Sequence, residues 1–278
     1  MPTKSKAPAA AAAVAGKNGH SLISDEKFRK LYVALVKYEL LEVHLGNGTD
    51  SAAGAVGITL DLQREDTIVL GPRNIAANFI KGVPLRVLLD HHDADRNGTP
   101  FMYGAVNALT SGLPSAVAQA GLATGTALGN KMAGNNKVAV AFLEGGAATL
   151  AECRDALAVA SANKLPVLFV IQADPNRKLD RMLVELEEMV PVITVDAHDV
   201  VAVYRVGQET IARAREGGPA LIVCVPYSRD NVPGAAVVNM ERYLTGKKLF
   251  RNRWKDQAIA EFKEEMSAAC LPPGNPLA

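Results

Sequence analysis

Residues 138–149 read VAVAFLEGGAAT. An apolar run ends in one acid and two glycines, and an alanine-rich segment follows. An uninterrupted apolar stretch bounded by a turn signal fits a strand buried on both faces. Glycines placed after a strand and before a helix let the backbone approach a bulky, usually anionic group. Outward from this stretch the pattern repeats. LPVLFVI, VITV and ALIVCVPY are apolar runs. Between them lie helical segments: one from about 150 to 163, the charged NRKLDRMLVELEEM, and DVVAVYRVGQETIARAREG. Strand–helix alternation with strands apolar throughout predicts an α/β fold, a parallel sheet covered by helices on both faces. Ligands of such sheets sit at the carboxyl ends of the strands. Four loops therefore carry most interest: Gly71-Pro72-Arg73, Glu144-Gly145-Gly146, Gln172-Ala173-Asp174 and Tyr227-Ser228-Arg229-Asp230.

The first half is less regular. Ser24 is a plausible N-cap, Asp25 and Glu26 sit in the first turn where the helix dipole favours acids, and Phe28, Leu31, Tyr32 and Leu35 recur at helical spacing. A turn and a small-residue helix follow in GNGTDSAAGAVGITLDL, and TIVL, ended by Gly71-Pro72, reads as a short buried strand. IAANFIKGVPLRVLLDHH is further helix, broken near Gly82 and Pro84. A glycine-rich patch from 98 to 112 leads into PSAVAQAGLATGTALGNK, a helix of small residues suited to close backbone packing. We expect one domain over 23–266, flanked by tails at 1–22 and 267–278. The first of these is Ala/Pro/Lys-rich and lacks the apolar content to offset the entropy of ordering. A transit peptide suits that stretch less well, because it has no arginine and no amphipathic period, and a secretory signal less well still.

Composition bounds the function. The chain has 278 residues, 49% hydrophobic, with 30 Lys+Arg against 29 Asp+Glu, enough for a sizeable core and almost neutral. Near-neutrality argues against nucleic acid as a partner. No apolar run reaches the roughly 18 residues that a membrane span needs. Cys153, Cys224 and Cys270 are odd in number and far apart, which offers neither a disulfide framework nor a CxxC metal site and points to a reducing cytoplasm. Internal repeats and a Ser-His-Asp order are not visible.

From about residue 27 to 262 the order of segments resembles the alpha subunit of the thiamine-diphosphate-dependent 2-oxo acid dehydrogenases, the decarboxylating first component of the pyruvate and branched-chain complexes. EDTIVLGPRNIAANFIKGVPLRVLL is similar to the family stretch that ends a strand in Tyr-Arg-Gly-His and continues to GVPL. VAVAFLEGGAATLAECRDALAVASANKLPVLFVIQAD is similar to the segment carrying the thiamine-diphosphate signature, GDG followed at a fixed interval by NN. Gly146 stands at the last Gly of GDG and Ala173-Asp174 at NN, with residues 147–172, 26 in all, between them, which falls inside the family's interval. The resemblance implies an oxidoreductase subunit that works with a beta partner. In the family the diphosphate is held by alpha, and the aminopyrimidine is gripped and activated by beta. It implies cofactor contacts at Arg73, Ser115, Val117, Gly145, Gly146 and Ala147. It also implies a Mg2+ bridging the two phosphates, a hetero-oligomer or self-associating assembly, and acyl transfer to lipoamide.

The departures from the family form a pattern. Gly145 replaces the Asp of GDG, leaving Glu144, one residue earlier, and Asp174, in place of the second Asn, as candidate metal ligands; the alternative is a turn that kept its glycines for packing and lost its ion. Pro72 replaces the family's Tyr and Ile75 its His, while Arg73 keeps the cation, available to a phosphate or to a surface salt bridge. The loop after the last strand, PYSRDNVPGAA, has no histidine where the family has two, and Arg229 lies off the family's Arg position. A catalytically inactive structural or regulatory relative is therefore the alternative function.

Duller readings cover the remaining candidates. DHHDADRNGTP matches the start of a calcium-binding loop at Asp93, Asp95, Asn97 and Gly98, but its twelfth position is Gly104, so a polar surface loop is favoured, and His91 and His92 go with it. His44 and His198 read as helix-end or surface histidines. Cys153, near a helix start, reads as an inert packed thiol rather than an activated one.

Overall fold

The computed structural model describes residues 23–48, 51–72, 74–94, 100–110, 115–143, 151–173, 185–227 and 234–270. Seven strands form one sheet: β1 (Thr67–Leu70), β2 (Phe101–Tyr103), β3 (Ala108–Thr110), β4 (Ala139–Leu143), β5 (Val167–Gln172), β6 (Val192–Asp196) and β7 (Ala220–Val225), in the order β2-β3-β1-β4-β5-β7-β6. Every neighbouring pair is parallel except β2 and β3. The α/β reading holds, and TIVL is β1 residue for residue. The two strands that the sequence hides, β2 and β3, are three residues each and fall in the glycine-rich patch, too short to show a period.

Helices cover both faces. On one lie α1 (Asp25–His44), α2 (Ala52–Thr59), α3 (Ala76–Lys81), α4 (Leu85–Ala94), α7 (Val200–Gly217), α8 (Ala235–Gly246) and α9 (Asn252–Cys270). On the other lie α5 (Ala116–Met132) and α6 (Arg154–Ala162). Strand residues alternate between the two cores: Leu168 and Val170 join the first, Val167, Phe169 and Ile171 the second, and all five are buried. Burial on both faces is why these strands read as unbroken apolar runs.

Local signals behave as expected. Ser24 Oγ accepts from Lys27 N at 3.2 Å and caps α1. Gly82, at φ 102°, ends α3, and Pro84 precedes α4. Asp199 Oδ1 accepts from Val201 N and Ala202 N, at 3.0 and 2.9 Å, and caps α7. Helix α9 continues through Cys270, beyond the start of the expected tail at 267. The other tail, residues 1–22, the charged segment up to residue 184 and residues 271–278 lie outside the described residues.

The amino edge of the sheet is locked by a buried ion pair. Asp66, with no exposed surface, accepts from Arg215 Nη1 and Nη2 at 2.8 and 2.7 Å, from Val138 N at 2.9 Å and from Gln63 N at 3.0 Å. All the carboxylate oxygens' partners are thus in place, the condition under which a buried pair holds together.

Candidate functional site

Strand order defines where a ligand belongs. The chain goes from β1 to β3 on one side, then crosses through α5 to β4 on the other, so the order reverses between β1 and β4. A parallel sheet opens a crevice at such a reversal, outside the carboxyl ends of the strands. The registers Val69↔Ala141 and Leu143↔Ile171 bring the carboxyl ends of β1, β4 and β5 side by side at one edge. Leu70, Leu143 and Gln172 are therefore neighbouring exits from the sheet. Arg73, Glu144, Gly145, Gly146, Ala147 and Asp174, which follow these exits in the sequence, lie outside the described residues.

Ser115 and Val117 are described. Ser115 is the N-cap of α5, half-buried, with a hydroxyl that makes no capping bond, and Val117 is 44% exposed on the same turn. Both sit at the start of the helix that spans the reversal. Two residues on, Gln119 is fully buried. Its sequence signal is plain in retrospect: it is the one long polar side chain in AVAQAGLATG.

Other described residues set what this edge can do. After β1, Gly71 O accepts from Asn74 N at 3.2 Å, and Ile75 turns into the core with 3% exposure. Asn78, buried on α3, donates to Thr110 Oγ1 at 3.0 Å, tying that helix to the carboxyl end of β3. Gln172 reaches toward α2, its Oε1 3.9 Å from where a Cβ on Gly54 would lie. Ala173 offers only a buried methyl group, its N donating to Cys224 O at 2.8 Å. Beyond β6, Asp196 Oδ1 accepts from His198 N at 3.0 Å, and His198 is buried rather than a surface residue. It lines a cavity of about 580 Å³ with Asp199, Asn239, Arg242 and Lys247.

Several candidates resolve into structural roles. His91 stacks on Phe101 with ring centroids 4.5 Å apart, and α4 runs through Ala94, into the stretch compared with a calcium loop; residues 95–99 lie outside the described residues. Burial pushes the Cys153 thiol up to about 11 and Cys224 to about 12, so both are inert at neutral pH. A cavity of about 600 Å³ between α1 and α9 has cations on its rim, but they are engaged: Lys27 with Asp61 at 2.6 Å, Lys37 with Glu265 at 2.7 Å, Lys30 with Glu26 at 2.9 Å. Among the described residues no group of three or more His, Cys, Asp or Glu gathers as a metal site, and no helix is long and apolar enough to cross a membrane.

Two acids went unnoticed in the sequence. Glu42 on α1 is 1% exposed and Glu39, one turn before it, half-buried; desolvation pushes both carboxyls up to about 7. The signal was there: Glu42 follows Tyr38 by four and Leu35 by seven, on the buried stripe of its helix.

The model of the dehydrogenase E1 component family matches residues 40–177, which span β1, the strand reversal and the stretch 138–149. Residues 40–177 belong to that family. Among curated proteins, the alpha subunit of acetoin:2,6-dichlorophenolindophenol oxidoreductase from Cupriavidus necator is 30% identical over 66% of this chain and 60% of its own length. The pyruvate dehydrogenase E1 component alpha subunit of Staphylococcus aureus is 31% identical over 60% of this chain and 47% of its own. The Staphylococcus epidermidis counterpart is 27% identical over 75% and 64%. The chain thus spans about half to two thirds of the length of these relatives. A solved structure described as a thiamin diphosphate-dependent enzyme from Mycobacterium smegmatis superposes with TM-score 0.45 at 14% identity, over 64% of this chain and 32% of that one.

Proposed function

We propose that this chain is a divergent alpha-type subunit of a thiamine-diphosphate-dependent 2-oxo acid dehydrogenase, acting with a beta-type partner in a reducing compartment. The observation that carries the reading is the coincidence of two independent features: the strand order reverses between β1 and β4, and the glycine turn and the cation of the resemblance follow those same two strands in the sequence.

The residues suit the cofactor's anionic end. Arg73 would pair with the phosphates in bidentate fashion, and Gly145, Gly146 and Ala147 would let backbone N–H groups approach them. Glu144 and Asp174 would hold a Mg2+ between them, and Ser115 and Val117 would lie beside the pyrimidine. They do not suit proton transfer, for Ile75 puts a buried side chain where the family has a histidine. Thiamine diphosphate supplies the carbon nucleophile and electron sink for decarboxylation when bound, and proton handling would fall to the partner. That same buried Ile75 favours the second reading, a non-catalytic relative that keeps the fold as an assembly partner.

Helix α5 supports a partner in either case. Val117, Leu122, Leu128 and Met132 are exposed at 44, 41, 38 and 80%, and a Cβ on Gly121, Gly125 or Gly129 would meet no atom of the described residues within 4 Å. Open glycines ridged by apolar side chains form a seat for another helix.

Titration calorimetry with thiamine diphosphate and Mg2+ on this chain, alone and mixed with a beta-type chain, tests the proposal. Binding that appears on mixing and falls at least tenfold in Arg73→Ala supports it. Stable association with a beta-type chain and no cofactor binding would leave the non-catalytic reading.

A further inference from the structure

Beyond β6 the carboxyl edge carries a second cavity. Asp196 closes the strand, His198 and Asp199 follow it, and Val200 opens the 18-residue helix α7. Helix α8 supplies Arg242 and, at its C-cap, Lys247, and all of these residues line a volume of about 580 Å³. That size falls within the range of small-molecule sites, roughly 300–1,000 Å³. β6 is the edge strand, three strand spacings or roughly 14 Å from β4, so this cavity stands apart from the crevice at the strand reversal.

Each charge on its walls is held by something other than an opposite charge. On one side Asp196 Oδ1 accepts from His198 N at 3.0 Å, and Asp199 Oδ1 accepts from Val201 N and Ala202 N at 3.0 and 2.9 Å. On the other, Arg242 Nη1 donates to Asn239 Oδ1 at 3.1 Å, and Lys247 Nζ stands 5.3 and 5.9 Å from the ring centroids of Tyr243 and Phe28. Two carboxylates and two cations thus share one cavity, yet among the described residues no ion pair within 4.0 Å joins them across it. Opposite charges elsewhere on this protein close up, as Lys27 with Asp61 at 2.6 Å and Lys255 with Glu241 at 2.9 Å. Here local partners keep them apart, which leaves a site already ordered for a ligand.

His198 adds an independent observation. It is 3% exposed, and among the described residues its hydrogen bonds run through the backbone alone, from its N to Asp196 and to its O from Asn239 Nδ2 at 3.4 Å. Its ring nitrogens have no protein partner, but they are not among the fully enclosed unpaired atoms of the structure. A buried polar group takes its partner from solvent or ligand when the protein offers none, and the space open to this ring is the cavity that it lines.

We propose that this cavity binds a free α-amino acid. The ligand ammonium meets Asp196 and Asp199, its carboxylate meets the Arg242 guanidinium and Lys247, and the His198 ring completes the polar contacts. A ligand with a single charge would match one wall and desolvate the other without a partner, whereas a zwitterion matches both. Val200, Met240 and Tyr243 also line the cavity and offer apolar surface to a side chain. None of this depends on the cofactor reading.

Titration calorimetry of the full chain with each of the twenty amino acids tests the proposal, with the N-acetyl and amide derivatives of the tightest binder and inorganic phosphate as controls. At least one amino acid should bind with a Kd below about 1 mM, and each derivative, lacking one of the two charges, at least tenfold more weakly, as should phosphate. Arg242 is exposed on α8 and can change without disturbing the core, so Arg242→Gln should weaken binding at least tenfold. The ring signals of His198 in proton–carbon NMR spectra, assigned by their loss in His198→Gln, should shift on titration. If His198→Gln fails to fold, Arg242→Gln and the derivatives still decide the matter. Failure of all twenty to saturate by about 10 mM overturns the proposal, as does equal binding of either derivative or of phosphate, or an affinity that Arg242→Gln leaves unchanged.

Discussion

Helices α2 and α5 are built from the same small residues and put them to opposite uses. In α2, AAGAVGIT, every residue is buried, and each glycine faces another element of the same chain, Gly54 the strand residues Cys224 and Gln172 and Gly57 helix α7. A Cβ on Gly57 would lie 2.8 Å from Val203 Cγ1 and 3.0 Å from the backbone N of Tyr204, and one on Gly207 of α7 would lie 2.6 Å from Ile58 Cδ1. The two helices meet glycine to side chain in both directions. In α5 the alanines do the internal packing, Ala116, Ala120, Ala123 and Ala127 lying in the core shared with β4, while the glycines face away. Small-residue composition therefore reports that a backbone is meant to be approached, and only the geometry tells whether the approaching partner is already part of the chain.

The sharpest way to break this contrast is Gly57→Leu. The branched side chain cannot enter without parting α2 from α7 against a fixed backbone, so we expect a loss of roughly 3 kcal/mol or more, read as a collapse of the urea midpoint or as insoluble protein. Retention of wild-type stability would mean that the two helices are not in close contact.

The second prediction uses Glu42, the buried acid of α1. Tyr38, one turn before Glu42, meets Ser51 at the start of α2, hydroxyl to hydroxyl at 3.0 Å. With its carboxyl raised from 4.5 to about 7 by burial, Glu42 keeps a proton in the folded protein that the unfolded chain has already released in that window. Stability therefore falls as pH rises from about 4.5 to about 7, by an amount on the order of 2 kcal/mol for this residue. Glu42→Gln should flatten its share of the slope in pH-dependent urea melts. An unchanged slope would show that the carboxyl is better solvated than its burial implies.

Legibility in the sequence followed the same division. The buried strands were readable because burial on both faces leaves nothing polar to interrupt them, whereas the interval between Gly146 and Ala173-Asp174 speaks only through the family resemblance, and both of its ends lie next to or outside the described residues. The pair Phe101–Tyr103 and Ala108–Thr110 was not, because three residues hold no period. Glu39 and Glu42 were missed because charged residues on a helix are by default assigned to its wet face, although Glu42 stands in register with Leu35 and Tyr38. Which face of α5 lacks a neighbour could not be read either, since alanine and glycine alternate there without an amphipathic contrast.

A smaller effect is expected at the other half of the glycine pair. Gly207→Ala meets only the end of a flexible side chain, Ile58 Cδ1, which can rotate away. The gain in helix propensity, about 1 kcal/mol, offsets much of the crowding. We expect a net loss of about 1 kcal/mol in thermal melts, well below that of Gly57→Leu. Equal losses would mean that the α2–α7 contact is rigid throughout.

The least change in the isolated chain should come from α5. Gly125→Ala adds a methyl group where nothing among the described residues lies within 4 Å and removes a helix-interior glycine, so the chain should gain about 0.5–1 kcal/mol. The same face behaves differently once a partner is seated on it. Gly125→Leu should leave the isolated chain as stable as Gly125→Ala, because its side chain projects into open space, yet it should weaken association with a beta-type chain at least tenfold in analytical ultracentrifugation, because a second backbone can no longer approach. Were Gly125→Leu to destabilise the isolated chain as Gly57→Leu does, α5 would already be covered from within, and the contrast between the two helices would fall with the partner surface that it supports.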